Sequence, residues 1–352
     1  MKYILDLSKL TPSDIILVSG NSKFGSLVKA VTRSNYSHAM IYVGHSVIHA
    51  LLDGVYSENP QRILVDDPGD IKVLRLKSPL GEQARNTVVN YARNLSGSIY
   101  SMPEAGVSAV LKKTGKESES KRQFCSRLVA QSYRQIGVNI VGNADYCTPE
   151  DINKSNKLKE VAGVIRVANE EETVFADSYN PIRENQKRMF LWLNQARKTF
   201  SEREVDIQTE ADVASSLIDN LDLDSVISQF IKDSGYLEHY EFDKYVNPHR
   251  YDVNLLLMKC LGPEQAEDIF CKEINKEPGE IKRHSNSYFI CGYNFLSFGL
   301  EYHKLQKRLY RNLLSMSKDR LVVLSRFAEI FGKFNLKELC DYQINYIEKI
   351  LL

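Results

Sequence analysis

The sequence predicts an α+β domain followed by a mainly helical one, and three observations carry that expectation. Short apolar runs bounded by Gly, Pro and Asp recur over the first half, at Ile15–Val18, 38–43, Val47–Leu51 and Ile71–Leu76, which is how strands read. Between and after them, 79–95 and 125–136 carry apolar residues every three or four positions, the mark of amphipathic helices. From about Asn169 the texture changes: after the acidic run Glu170, Glu171, Glu172, almost every signal is helical. The expected division is therefore a domain over residues 1–170 and a helical domain over 175–352, and 352 residues suffice for two separate cores.

Each element has a local reason. Pro12 and Asp14 punctuate a turn before the apolar run Ile15 to Val18. Phe24, Leu27, Val28 and Val31 share one helix face, and the strand 38–43 follows. Gly44-His45 reads as a two-residue hairpin turn, because glycine first suits type II′. That turn sets Val43 opposite Ser46, Met40 opposite His49 and His38 opposite Leu51, so His38 and His49 share a face as diagonal neighbours. A three-residue turn would put them on opposite faces. Asp53-Gly54 marks a further turn, with short strand pieces at 55–57 and 63–65. Ala84, Val88, Val89 and Ala92 line one face of the helix at 79–95, residues 96–100 form a loop, and 112–122 is a polar, exposed segment.

Leu128, Val129, Tyr133 and Ile136 then form the buried stripe of a helix that begins at Cys125 and stops at Gly137. Thr148-Pro149-Glu150-Asp151 starts another helix, and 161–168 would close the sheet with a last strand. In the second half, helices are expected at 189–196, 213–221, 253–261, 306–316, 320–331 and 339–352, the second preceded by a capping box at Thr209-Glu210-Ala211-Asp212.

Composition narrows the function classes. The chain is 43% hydrophobic and 26% charged, with 46 basic and 45 acidic residues for a net charge of +1, which gives a nucleic-acid partner no basic surplus to bind with. The six cysteines are dispersed without a CxxC pair, neither a zinc spacing nor a disulfide framework, so reduced thiols in a cytoplasmic protein are expected. Asp6 and Lys9 interrupt the apolar stretch that a signal peptide would need, and no run is long enough for a membrane helix. Export would require a route without a cleavable signal.

The chemistry centres on Cys125. A cysteine in a first helical turn feels the positive end of the macrodipole, which lowers its pKa, and the free N–H groups there can hold an oxyanion. A nearby imidazole, His38, would take the proton, and a third polar group, His49, would orient that imidazole. From spacing alone the ordinary alternatives stand beside this: a small core thiol for Cys125 and structural roles for the histidines. A metal cluster of His38, His45 and His49 is disfavoured, since His45 sits in the turn and no carboxylate joins it, so neither metal nor cofactor is expected.

The order of these residues resembles a known family. Tyr36-Ser37-His38-Ala39-Met40-Ile41-Tyr42-Val43-Gly44, then Val47-Ile48-His49-Ala50, Gly97 with Tyr100, Phe124-Cys125-Ser126-Arg127-Leu128-Val129-Ala130, and Thr148-Pro149-Glu150-Asp151 with Ser155 are similar to the motifs of circularly permuted, papain-like enzymes of the NlpC superfamily, the YiiX-like group. The resemblance covers about residues 10–165. It implies a permuted papain-like domain, a small antiparallel sheet packed on the Cys helix, with Cys125, His38 and His49 catalytic and Tyr100, Ser126 and Tyr36 near the substrate. In the YiiX-like group the third residue is commonly Glu. His49 makes the set similar to the lecithin retinol acyltransferase branch of the superfamily, which acts on lipid acyl esters.

The expected activity is cysteine-dependent cleavage of an amide in a peptide, a peptidoglycan stem or an N-acyl group, through a thioester on Cys125. The alternatives are a lipid-directed phospholipase or acyltransferase and an inactive binding module. The basic stretch Tyr302 to Arg311 reads as the solvated face of a bundle helix, with peripheral membrane contact as its alternative.

Overall fold

An antiparallel sheet of six strands orders the first half of the chain. Its strands are β2 (Ile15–Val18), β3 (His38–Tyr42), β4 (Val47–Leu51), β5 (Gly54–Glu58), β6 (Ile71–Leu76) and β7 (Leu158–Glu160), in spatial order β5-β4-β3-β2-β6-β7. The computed structural model describes residues 1–19, 35–101, 121–260 and 262–352. The helix expected around Phe24 to Val31 and most of the polar segment at 112–122 lie outside the described residues. The chain divides into two compact units, Met1–Phe190 with Asp206–Asp212 and Leu191–Val205 with Val213–Leu352.

Alternation assigns the two faces of the sheet. Ile15, Leu17, Ala39, Ile41, Ile48, Ala50 and Val55 share a core with α1 (Glu82–Asn94) and α2 (Cys125–Arg134), through Val88, Val89, Ala92, Leu128, Val129 and Tyr133. Ile16, Met40, Tyr42, Val47, Ile71 and Val73 build a second cluster on the opposite face, with Leu5 and Val164. Full burial of each Leu or Val side chain contributes about 1.5–3 kcal/mol relative to exposure, so α2 is held by its stripe. The Tyr133 hydroxyl adds a buried donation to the Ser13 carbonyl, at 2.5 Å.

The expected hairpin register is present. Tyr42 faces Val47, Ile41 faces Ile48, and the Val43 N–H donates to the Ser46 carbonyl at 2.9 Å. The helix α3 (Pro149–Asn153) begins at a capping box in which Thr148 and Asp151 exchange side-chain-to-backbone hydrogen bonds. The end of the sheet differs from expectation. The strand placed at 161–168 is instead β8 (Ile165–Val167), paired with β1 (Tyr3–Leu5) in a separate two-stranded sheet, and the six-stranded sheet ends on β7. Val161 still donates to the Val73 carbonyl, but Gly163, in the left-handed region at φ 64°, then turns the chain toward β1. β1 and β7, three residues each, are too short to show a period in the sequence.

Helices α4 (Glu170–Asp177) and α5 (Pro181–Ser201) follow, and the residues of α5 up to Phe190 belong to the first unit. Gln186 meets the edge strand: its side chain accepts from the Ser57 N–H at 2.6 Å and donates to the Ser57 carbonyl at 2.7 Å. It thereby satisfies backbone groups that an edge leaves open.

The second unit is helical. Residues 306–316 and 320–331, read as two helices, are one continuous helix, Glu301–Ile330, because buried Ser317 and Arg320 carry its inner face across the polar interruption. Arg320 makes a bidentate pair with the buried Glu277 of the helix Glu277–Phe298, at 2.6 and 2.8 Å. Along the basic stretch, Tyr302, Leu305 and Leu309 are buried and Lys304, Arg308 and Arg311 face outward, the arrangement of a bundle helix. Among the described residues no helix is long and apolar enough to cross a membrane.

Gly54, at φ 140°, opens β5, and a Cβ there would lie 2.5 Å from the Phe190 ring and 2.8 Å from the Ser98 carbonyl oxygen. Gly54→Ala is expected to destabilise the protein by about 2 kcal/mol, from backbone strain and overpacking together. Urea denaturation checks this as a lower midpoint at unchanged slope.

Candidate active site

The site forms where two neighbouring strands part. β4 and β5 pair over five residues, through Leu51 and Gly54, and β2 pairs with β3 down to His38. Between β3 and β4 the ladder holds only two pairs, Tyr42 with Val47 and Ile41 with Ile48. Continuing the register would set Ala39 opposite Ala50. N–H directions alternate along a strand, so the Ala39 N–H points toward β4, as that of Val43 does. That N–H favours the thiolate form of Cys125.

α2 delivers that sulfur. Phe124 is extended and gives no side-chain cap, so the first-turn N–H groups are left without intrahelical partners. The N–H groups of Cys125 and Ser126 and the Ser126 hydroxyl also favour the thiolate. Arg127, fully buried, anchors the start of the helix. It donates to the Asp145 carbonyl at 2.8 Å and to the Arg122 carbonyl at 3.0 Å, and its guanidinium lies 4.6 Å from the Phe124 ring centre and 5.3 Å from that of Tyr146.

The two histidines meet across the gap. His38 Nε2 lies 2.9 Å from His49 Nδ1, and the rings are edge to face with centres 5.2 Å apart. By alternation both lie on the face with Met40 and Val47, whereas Ala39 packs toward α2. No hydrogen bond joins Cys125 to His38 among the described residues; Cys125 shares the core cluster of Ala39, on the other face of the sheet.

Burial dominates the electrostatics. It holds the His38 imidazole down to about 4, and it holds His49 well below its ordinary value, with the charges of His38 and Arg183 acting in the same direction. Burial also pushes the Cys125 thiol up, against the N–H donors that favour the thiolate. The helix terminus was expected to lower this pKa; in the folded chain desolvation outweighs the donors. The resting site is a neutral thiol beside neutral imidazoles.

The other three expected residues are all buried. Tyr100 lies close enough to Cys125 that burial and the thiol's charge both raise its pKa. Ser126 donates from its hydroxyl to the Cys147 carbonyl at 2.6 Å, and the Tyr36 hydroxyl lies 3.4 Å from the Gly69 carbonyl. No group of three His, Cys, Asp or Glu side chains suited to a metal ion occurs among the described residues. Sequence reasoning missed the Ala39 N–H, because a backbone donor carries no residue signature. It also missed Tyr56, directly opposite His49, although the two-residue turn at Leu52-Asp53 sets that pairing just as Gly44-His45 sets the first.

Comparison with known proteins concerns the same part of the chain. Residues 9–179 match the family model of the permuted papain-like amidase enzymes, YaeF/YiiX, C92 family, and this segment is similar to that family. Five solved chains match. One of them, "metalloprotein yiiX" from Escherichia coli O157:H7, is 18% identical, with a TM-score of 0.34 over 44% of this chain and 97% of its own. No curated protein matches the chain.

Because its pKa is raised, the thiol is protonated at neutral pH, and the thiolate fraction grows only as pH rises past the ordinary thiol range. Alkylation of Cys125 by iodoacetamide, followed by peptide mass mapping against exposed Cys271, is expected to be much slower than that of Cys271 at pH 7 and to keep climbing above pH ~9. A rate already at its plateau at pH 6 would show a thiolate instead.

Proposed function

We propose that the protein is a cysteine-dependent amidase in which Cys125 is the nucleophile, His38 the general base and acid, and His49 the group that orients His38. The observation that carries this reading is the hydrogen-bonded His38–His49 pair next to Ala39, whose N–H favours the Cys125 thiolate, within the segment that matches an amidase family model. Two neutral rings 2.9 Å apart share one proton along that line. Donation from His38 Nε2 to His49 Nδ1 leaves the lone pair of His38 Nδ1 for the thiol. Catalytic hydrogen bonds are often open before substrate binds, so closure of His38 Nδ1 onto Cys125 belongs to the substrate complex.

Cys125 Sγ attacks the amide carbonyl while its proton passes to His38, and the tetrahedral oxyanion takes the first-turn N–H groups of α2. As His38 becomes imidazolium, its Nε2–H bond to neutral His49 strengthens, which offsets the cost of a buried charge. His38 then protonates the leaving nitrogen, the C–N bond breaks, and a thioester remains on Cys125. Water attacks the thioester through His38 and restores the thiol. Tyr100, Ser126 and Tyr36 border this path.

The substrate class we favour is a peptide or N-acyl amide, including peptidoglycan stems. A lipid acyl ester is the second reading, and the observed His38–His49 bond favours it, because a histidine in third place is the feature shared with the lipid-directed branch. Intact-protein mass spectrometry after incubation with peptidoglycan fragments, N-acyl amino-acid anilides and phospholipid vesicles discriminates the two. An acyl mass on Cys125 from one class, absent in Cys125→Ala, identifies the substrate; no adduct from any class would make the domain a binding module.

With an anilide substrate, Cys125→Ala is expected to lose at least ~10³-fold in kcat/KM, and His38→Ala about 10²–10⁴-fold. The acid limb should fall near pH 4, because His38 accepts a proton only above its lowered pKa of about 4. A limb near pH 6.5 would contradict the half-buried, neutral His38.

A further inference from the structure

The family match ends at residue 179, yet the structure does not end the site there. β5 pairs with β4 so that Tyr56 stands directly opposite His49, and directly opposed residues share a face. Three residues from the start of α5 close on Tyr56 and its strand. The Phe190 ring stacks on Tyr56 with centres 4.7 Å apart, Gln186 holds both backbone groups of Ser57, and the Arg183 guanidinium lies 4.0 Å from the Tyr56 ring centre. Asp53, in the turn between β4 and β5, fixes the last of these. It accepts from Arg183 Nη2 at 3.2 Å and from the Tyr56 hydroxyl at 2.8 Å. The cation is thus clamped over an aromatic face by a carboxylate, one residue pair away from His49.

We infer that Arg183 is a positioning residue of the active site: anchored by Asp53 and Tyr56, it keeps His49 a neutral acceptor for His38. This rests on the proposed roles of the histidine pair. The groups facing His49 are His38 from β3, Tyr56 from β5, Asp53 from the turn and Arg183 from α5, with Cys125 of α2 beyond His38. Of these, Arg183 carries the fixed positive charge. A protonated His49 would place a second cation near it and would lose the Nδ1 lone pair that His38 needs. The Nε2 atom of His49, which carries the hydrogen when Nδ1 accepts from His38, is buried and has no hydrogen-bond partner, so no acceptor there offsets an added positive charge. The sign follows: removing the positive charge lets His49 take a proton at higher pH, and the pair then fails from the acid side earlier.

The test is an NMR titration of the His49 ring in the full chain between pH 3 and 8, with His49→Gln assigning the signal. Arg183→Met keeps the stem over Tyr56 and deletes the charge; Arg183→Gln is the second charge-deleting variant, and Arg183→Lys retains charge. The expected result is a His49 midpoint raised by roughly half a pH unit or more in the Met or Gln variant and unmoved in the Lys variant. In the anilide assay the acid limb should rise in parallel. A His49 midpoint identical to wild type in a folded charge-deleting variant overturns the inference. Because the titration needs no substrate, that failure leaves the amidase reading standing, and an inactive enzyme leaves the titration result standing.

Discussion

The candidate site depends on the early parting of β3 and β4. A six-stranded antiparallel sheet would ordinarily complete its ladder, and Ala39 would give its N–H to Ala50. Here the Ala39 N–H instead favours the thiolate form of Cys125. The parting of the strands leaves a gap beside the α2 N-terminus, and it gives His38 and His49 room to meet edge to face.

Two forces compete at the sulfur. The nearby N–H groups favour a thiolate, while burial disfavours any charge. Burial prevails at Cys125, His38 and His49 alike, so in the proposed mechanism charge separation is deferred to the moment of attack. The same buried histidines bear on stability. Their folded pKa values lie below the unfolded value near 6.5, so the unfolded chain binds more protons as pH drops from about 6.5 toward 4, and the fold weakens over that window.

Much of this was legible in the sequence, and the reasons are local. Gly44-His45 specified a two-residue turn, the turn specified the register, and the register put His38 and His49 on one face. The stripe Leu128, Val129, Tyr133 announced α2, whose first residue is the proposed nucleophile. What sequence could not show depends on distance along the chain. β7 and β8 are too brief to carry a period, and Gly163 decides which sheet the last strand joins. The raised thiol pKa follows from packing that no single stretch encodes. Arg183 and Phe190 lie beyond every motif and become part of the site only because Gly54 lacks a Cβ and lets the Phe190 ring approach β5.

The central claim is the direction of one proton. Long-range ¹H–¹⁵N correlation spectra of the full chain at pH 7, with His38→Gln and His49→Gln for assignment, report which ring nitrogens are protonated. The account expects His38 protonated on Nε2 alone and His49 unprotonated on Nδ1, so that His38 Nδ1 is free to accept from Cys125. A proton on His38 Nδ1, with Nε2 accepting from His49, would leave the thiol without its base and would contradict the mechanism.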